Sequence, residues 1–281
     1  MDTLVTTDWL SQHLDDPDLV VLDCTVRTEV DDDGSFRNIS GRADYDGGHI
    51  PKAGFADLTG DLRDSDSPLA FAMPTPEHFC SAMGRLGVGD DSRVVLYDGY
   101  LSAWAARVWW MLRWVGFDRA TILEGGLKAW TAEGRPLSTE PAARSAKTLT
   151  PAPRPELIAD RDEVFAAIDD GGVHLIDTLP EAFYKGEQAP YGRPGHIPGA
   201  SNICAIDLLD ESGRFRFHEE LAEMLGGDHG ARTITYCGGG IMASSNAFIM
   251  TRLGFSDVAV YTAPLQEWAA DPDNPMVVDT P

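Results

Sequence analysis

Short, almost wholly apolar runs alternate along this chain with longer segments whose apolar residues recur at helical spacing. Leu19-Val20-Val21-Leu22, Arg93-Val94-Val95-Leu96-Tyr97 and Ala120-Thr121-Ile122-Leu123 read as buried strands, since continuous β-branched and apolar runs suit a sheet covered on both faces. Ala103 through Trp114, with Trp104, Val108, Met111 and Leu112 at helical spacing, reads as the intervening helix. The same succession returns in Val173-His174-Leu175-Ile176, Thr233 to Tyr236, the helical stretch Ala243 to Leu253, and Val258-Ala259-Val260-Tyr261. Strand, helix, strand in register predicts an α/β protein with parallel sheets and helices on both faces.

The two successions are copies of one pattern. Leu22-Asp23-Cys24-Thr25 answers Ile176-Asp177-Thr178, and Gly48-His49-Ile50-Pro51 answers Gly195-His196-Ile197-Pro198. Gly116-Phe117 answers Gly254-Phe255, and Trp130 answers Trp268. A repeat on this scale predicts two tandem homologous domains, at 1–137 and 156–281. The Pro-rich stretch 138–155 between them lacks apolar periodicity and reads as an extended linker that allows swivelling.

The copies differ at one chemically decisive place. Where the first runs from Tyr97 into Asp98-Gly99, the second runs from Tyr236 into Cys237-Gly238-Gly239-Gly240-Ile241-Met242-Ala243. A glycine turn from strand to helix aims backbone N–H groups and a helix N-terminus at one sulfur, which favours thiolate and anions beside it. Cys237 is therefore the candidate nucleophile, with a thiol expected to titrate below its ordinary value, and Gly238 to Ala243 are its candidate substrate cradle. A buried structural cysteine beside a tight turn is the alternative. Cys24, Cys80 and Cys204 open no such turn and read as small core residues. His49 and His196 recur in both copies, one of which has no nucleophile, so they read as turn-bonding histidines; Asp23 and Asp177 read as turn-fixing carboxylates.

A net charge of −23 over 281 residues repels phosphate backbones and anionic membranes, which argues against nucleic-acid and membrane partners. The N-terminus lacks a basic segment with an apolar core, and no apolar run approaches the roughly 20 residues of a membrane helix, which predicts a cytoplasmic location. Four widely spaced cysteines without C-x-x-C pairs suggest free thiols, with neither metal nor disulfides. The proposed chemistry needs no cofactor.

These matched segments, together with Gly125-Gly126-Leu127-Lys128-Ala129-Trp130 and Leu265-Gln266-Glu267-Trp268, resemble the two-domain rhodanese-type sulfurtransferases over essentially the whole chain. The resemblance implies two tandem rhodanese-like domains, a catalytically silent first domain with Asp98 at the cysteine position, and a persulfide on Cys237. Its partners would be a small-molecule sulfur donor and a thiophilic acceptor such as cyanide or a thiol. Lys185 and Arg193 lie in the loop that approaches the catalytic site in that family and are the candidate substrate cations, Phe183 standing where relatives generally carry an arginine. The missing hydroxyls at Gly239 and Met242 favour thiosulfate as donor, with 3-mercaptopyruvate as the alternative. A cysteine phosphatase would need an arginine in Ile241 to Asn246, and none is there; a non-catalytic sulfur carrier or redox-sensing protein remains a further alternative.

Overall fold

The structure, a computed structural model, describes residues 2–31 and 36–279. The first copy contains strands β1 (Leu4–Val5), β2 (Leu19–Asp23), β3 (Val26–Val30), β4 (Phe36–Ser40), β5 (Gly54–Phe55), β6 (Arg93–Tyr97) and β7 (Ala120–Leu123), with helices α1 (Thr7–His13), α2 (Arg42–Gly47), α3 (Pro76–Arg85), α4 (Ala103–Trp114) and α5 (Gly126–Ala132). The second contains β8 (Ile158–Ala159), β9 (Val173–Asp177), β10 (Ser201–Asn202), β11 (Arg232–Tyr236) and β12 (Val258–Tyr261), with α6 (Arg161–Ala167), α7 (Glu181–Tyr184), α8 (His218–Leu225), α9 (Ile241–Arg252) and α10 (Pro264–Trp268). Two five-stranded sheets result, ordered β1-β7-β6-β2-β5 and β10-β9-β11-β12-β8. Every pairing in both is parallel, as the unbroken apolar runs require. The expected strands and central helices are all present within a residue or two.

The repeat holds at the level of register. Asp23 lies opposite Tyr97 across β2 and β6, and Asp177 opposite Tyr236 across β9 and β11. Each carboxylate fixes the turn after its strand: Asp23 Oδ1 accepts from Thr25 N–H at 2.9 Å, and Asp177 Oδ1 from Leu179 N–H at 2.8 Å. The paired histidines also serve the backbone. Nδ1 of His49 bonds Tyr45 O at 2.7 Å and Nδ1 of His196 bonds Tyr184 O at 2.8 Å, each ring stacked on that same tyrosine.

Residues 139–154 contain neither helix nor strand, but they are strapped along the first domain. Lys147 N–H donates to Gly84 O at 3.0 Å and Ala152 N–H to Val115 O at 2.9 Å, while Arg144 Nη1 donates to Leu19 O at 2.8 Å. The swivelling that the composition suggested is further opposed by helix packing. α4 of the first domain lies against α9 of the second, with Trp109 edge-on to Phe248 at 4.9 Å between ring centroids. Both helices are buried all round rather than on one stripe, with Arg107 among the eleven buried residues of the twelve in α4 and Ser244, Ser245 and Asn246 among the nine buried in α9, and such a helix must be covered on every side. Among the described residues no helix is long and apolar enough to cross a membrane.

Burial sets a pH dependence at the sheet end. Asp177 is fully buried and burial pushes its carboxyl up to about 6, so the folded state holds this proton more tightly than the unfolded chain does. Well below pH 3.8 both states are protonated and the site costs nothing; as pH rises from there through 6, stability is lost. Asp177→Asn keeps the oxygen that Leu179 N–H needs. Urea unfolding should therefore show the variant more stable than the parent by roughly 2–3 kcal/mol at pH 7, with the difference closing below about pH 3.

Candidate active site

β11 delivers the chain to Cys237 at the carboxyl end of the second sheet, and after three glycines α9 begins at Ile241. Gly240 adopts φ +80, the left-handed conformation that makes this turn, and a Cβ there would also meet Arg107 Nη1 and Thr262 O, each at 3.0 Å. Gly238 is held differently: any Cβ would run into the hydroxyl and ring of Tyr191. The loop backbone is tied down from beneath, Leu265 N–H donating to Cys237 O at 3.2 Å and Gln266 N–H to Gly238 O at 3.3 Å. Cys237 is 2 % exposed, and its Sγ accepts from Gly240 N–H at 3.1 Å.

The first copy shows what such a cradle holds. Asp98 Oδ1 accepts from Tyr100 N–H at 2.9 Å and Ser102 N–H at 3.0 Å, and Oδ2 from Ala105 N–H at 3.0 Å. A side-chain anion thus fills the turn from within, and Ser102, at φ 56, adopts the left-handed conformation that Gly240 adopts freely. In the second copy the same amides face a sulfur.

Electrostatics at that sulfur differ from the expectation of a thiol titrating low. Burial pushes the Cys237 thiol above its ordinary value, outweighing the amides of Ala243, Gly239, Gly240 and Met242 that pull it down. A helix terminus lowers a thiol effectively where the sulfur also keeps solvent; here the cavity withholds it. A residue that the sequence reading missed partly offsets this. Arg107, on α4 of the first domain, is 1 % exposed, and its Nη2 donates to Phe71 O at 2.9 Å. Its Nε and Nη1 find no hydrogen-bond partner among the described residues, and Nη1 lies under the Gly240 turn. Among the described residues no carboxylate pairs with this cation. Burial pushes the guanidinium down to about 10, and the charge of Cys237 opposes that fall.

Cys237 opens into a cavity of about 720 Å³ between the domains. Gly239, Ile241 and Met242 line it with Cys237, whereas Gly238, Gly240 and Ala243 frame the loop without lining the cavity. Neither predicted cation reaches it. Lys185 pairs with Glu181 at 2.6 Å on the exposed end of α7, and Arg193 Nη1 donates to Asp271 O and Asn274 O, each at 2.9 Å. Both placements correct the expectation that these side chains bind substrate. The loop brings Tyr191 inward instead, along with Phe183, which lines the cavity from α7. The other three cysteines are buried away from this cavity.

Comparison with known proteins agrees with this geometry. The rhodanese-like domain model matches residues 6–133 and again 160–271. The chain is 33% identical over 285 residues to the probable 3-mercaptopyruvate sulfurtransferase of Pseudomonas aeruginosa, covering 97% of both chains. It is 32% identical to the thiosulfate sulfurtransferase of Gallus gallus, covering 81% of this chain and 80% of that one. The crystal structure of SseA from Escherichia coli, described as showing the "Rhodanese" fold of 3-mercaptopyruvate sulfotransferases, superposes with a TM-score of 0.82 at 32% identity, over 93% of this chain and 98% of that one.

Removing the buried cation should make the thiolate harder to form. For Arg107→Gln, the inflection in iodoacetamide alkylation of Cys237 against pH should move up by about one unit or more, with Arg107→Lys in between. In the parent, the inflection itself should lie above the ~8.5 of a free thiol. An inflection unmoved in Arg107→Gln would show that the guanidinium serves packing alone.

Proposed function

The chain belongs to the rhodanese-like domain family and is a sulfurtransferase, and from that premise we propose that it moves sulfur through a persulfide on Cys237, taking it from 3-mercaptopyruvate. The observation that carries this reading is the single ionisable sulfur held by Gly240 N–H at the floor of the interdomain cavity. In the first half-reaction the Cys237 thiolate attacks the donor sulfur. An S–S bond forms, the C–S bond breaks, and the electron pair leaves on carbon as the pyruvate enolate, which takes a proton to become pyruvate. In the second, a thiophile attacks the outer sulfur of the persulfide and Cys237 departs as thiolate. The loop amides face the sulfur in both charge states, which is the arrangement that lowers a barrier without reorganisation.

The choice of donor turns on the proton that the enolate needs. In the sequence, the lack of a hydroxyl at Gly239 and Met242 favours thiosulfate, for which Arg193 is a candidate cation. Arg193 is engaged with backbone carbonyls, and Tyr191 supports the opposite choice. Its hydroxyl lies against Gly238, and burial and the charge of Cys237 push its titration up, so it remains a proton donor throughout the working pH range. Thiosulfate would release sulfite, which needs no proton, and it is the second donor to compare, since the Gallus gallus relative bears that name.

Cys237→Ala should abolish sulfur transfer from either donor while the fold persists; intact mass should show the parent, and not the variant, gaining one sulfur atom on incubation with donor. Tyr191→Phe should lower kcat with 3-mercaptopyruvate by roughly 10²-fold, the scale of general acid catalysis, and leave loading from thiosulfate within a few-fold of the parent. Equal losses with both donors would remove the general-acid role.

A further inference from the structure

The cavity above Cys237 is larger and less polar than a small carboxylated donor requires. At about 720 Å³ it falls within the range of sites that enclose drug-sized organic ligands, on the order of 300–1,000 Å³. Its walls come from both domains: Leu69, Phe71 and Trp104 from the first, Leu179, Phe183 and Met242 from the second. Phe36, at the start of β4, meets Phe183 across the domain boundary with ring centroids 6.1 Å apart. Among the described residues that line it there is no Lys, Arg, His, Asp or Glu; the polar side chains are the neutral Thr28, Asn38, Gln266 and Tyr191 beside Cys237. Among the described residues, the cationic and N–H groups near the cavity lie at its floor, in the loop amides and in Arg107 behind them.

The floor and the walls therefore ask for different things of a ligand. An anion suits the amide ring, whereas the walls gain free energy only by covering hydrocarbon, at about 25 cal/mol per Å². A charged or zwitterionic body would lose its hydration there with no ionic partner to replace it. We propose that the sulfur acceptor is an organic thiol with an apolar, ring-sized body, which lies against the aromatic walls and directs its sulfur at the persulfide. The step balances: the acceptor thiolate attacks the outer sulfur, the new S–S bond forms as the bond to Sγ breaks, and the acceptor leaves as a persulfide while Cys237 returns as thiolate. Neither oxidant nor reductant is consumed. This rests on the reading that Cys237 carries the sulfur.

The test separates the two ideas by loading the protein first and discharging it second. Cys237 is converted to the persulfide, with 3-mercaptopyruvate or chemically with polysulfide, and the loaded protein is mixed with 2-mercaptoethanol, glutathione or benzyl mercaptan, each rate being corrected for the fraction of thiolate. Loss of the added sulfur is followed by intact mass. Discharge by benzyl mercaptan should exceed that by 2-mercaptoethanol at least tenfold, with glutathione slowest. Phe183→Asn and Leu69→Gln, each at a half-buried wall position, should shrink that ratio several-fold. Equal rates for the three thiols, or glutathione fastest, would overturn the acceptor class. Failure of 3-mercaptopyruvate to load a protein that polysulfide loads would overturn the donor and leave the acceptor comparison intact.

Discussion

Everything that distinguishes this site follows from the contact of α4 with α9. Each domain contributes one helix that is buried nearly all round, and pairing the two covers both, with Trp109 edge-on against Phe248. Because both helices leave from equivalent turns, joining them also brings the ends of the two sheets together and makes the cavity. The same contact carries Arg107 under the Cys237 loop. A guanidinium buried without a carboxylate is costly, so the interface is stabilised by whatever negative charge the sulfur carries. Thiolate formation and domain contact are then linked through the charge that Arg107 brings beneath the loop.

Duplication explains why the two cradles differ in use. In the first domain Asp98 satisfies three amides with its own carboxylate, and the turn is closed to any external anion. In the second, a sulfur accepts from Gly240 N–H and leaves other amides to face whatever sulfur is added to it. One turn is thus self-satisfied and the other receptive, while the first domain supplies α4 and half of the cavity wall.

Legibility followed the kind of interaction involved. The strands β2, β6, β7 and β12 are buried on both faces and announce themselves as largely apolar runs, and β9 and β11 do so less cleanly, with His174, Thr233 and Thr235 between their apolar residues. The two-residue edge strands β1, β5, β8 and β10 are fixed by tertiary pairing alone and have no periodicity to read. The β3–β4 hairpin joins neither sheet, and its mixed residues carry little local signal. Cys237 was legible because a glycine turn after a strand has few other uses. Lys185 and Arg193 misled because proximity in sequence to a functional loop does not say which side chains turn inward; their charges found Glu181 and backbone carbonyls, while Tyr191 and Phe183, from the same segment, turned to the cavity. Arg107 did leave a trace: one arginine in the apolar stretch Ala103 to Leu112, at a position that an all-round buried helix cannot expose.

The strong acidity of the chain and the positive potential at the cysteine act over different distances. At physiological ionic strength charge effects fall away over about 8 Å, so a net charge of −23 slows the approach of anions more than it weakens their binding once they are inside. Within the cavity the dielectric is low and no salt screens, so a few amides and one guanidinium outweigh many distant carboxylates. A small anion that reaches the floor is held there by charge alone. A larger ligand must instead match the walls, and these are hydrocarbon. On the proposal made above, the floor engages the reacting sulfur and the walls engage the body of the molecule that carries it.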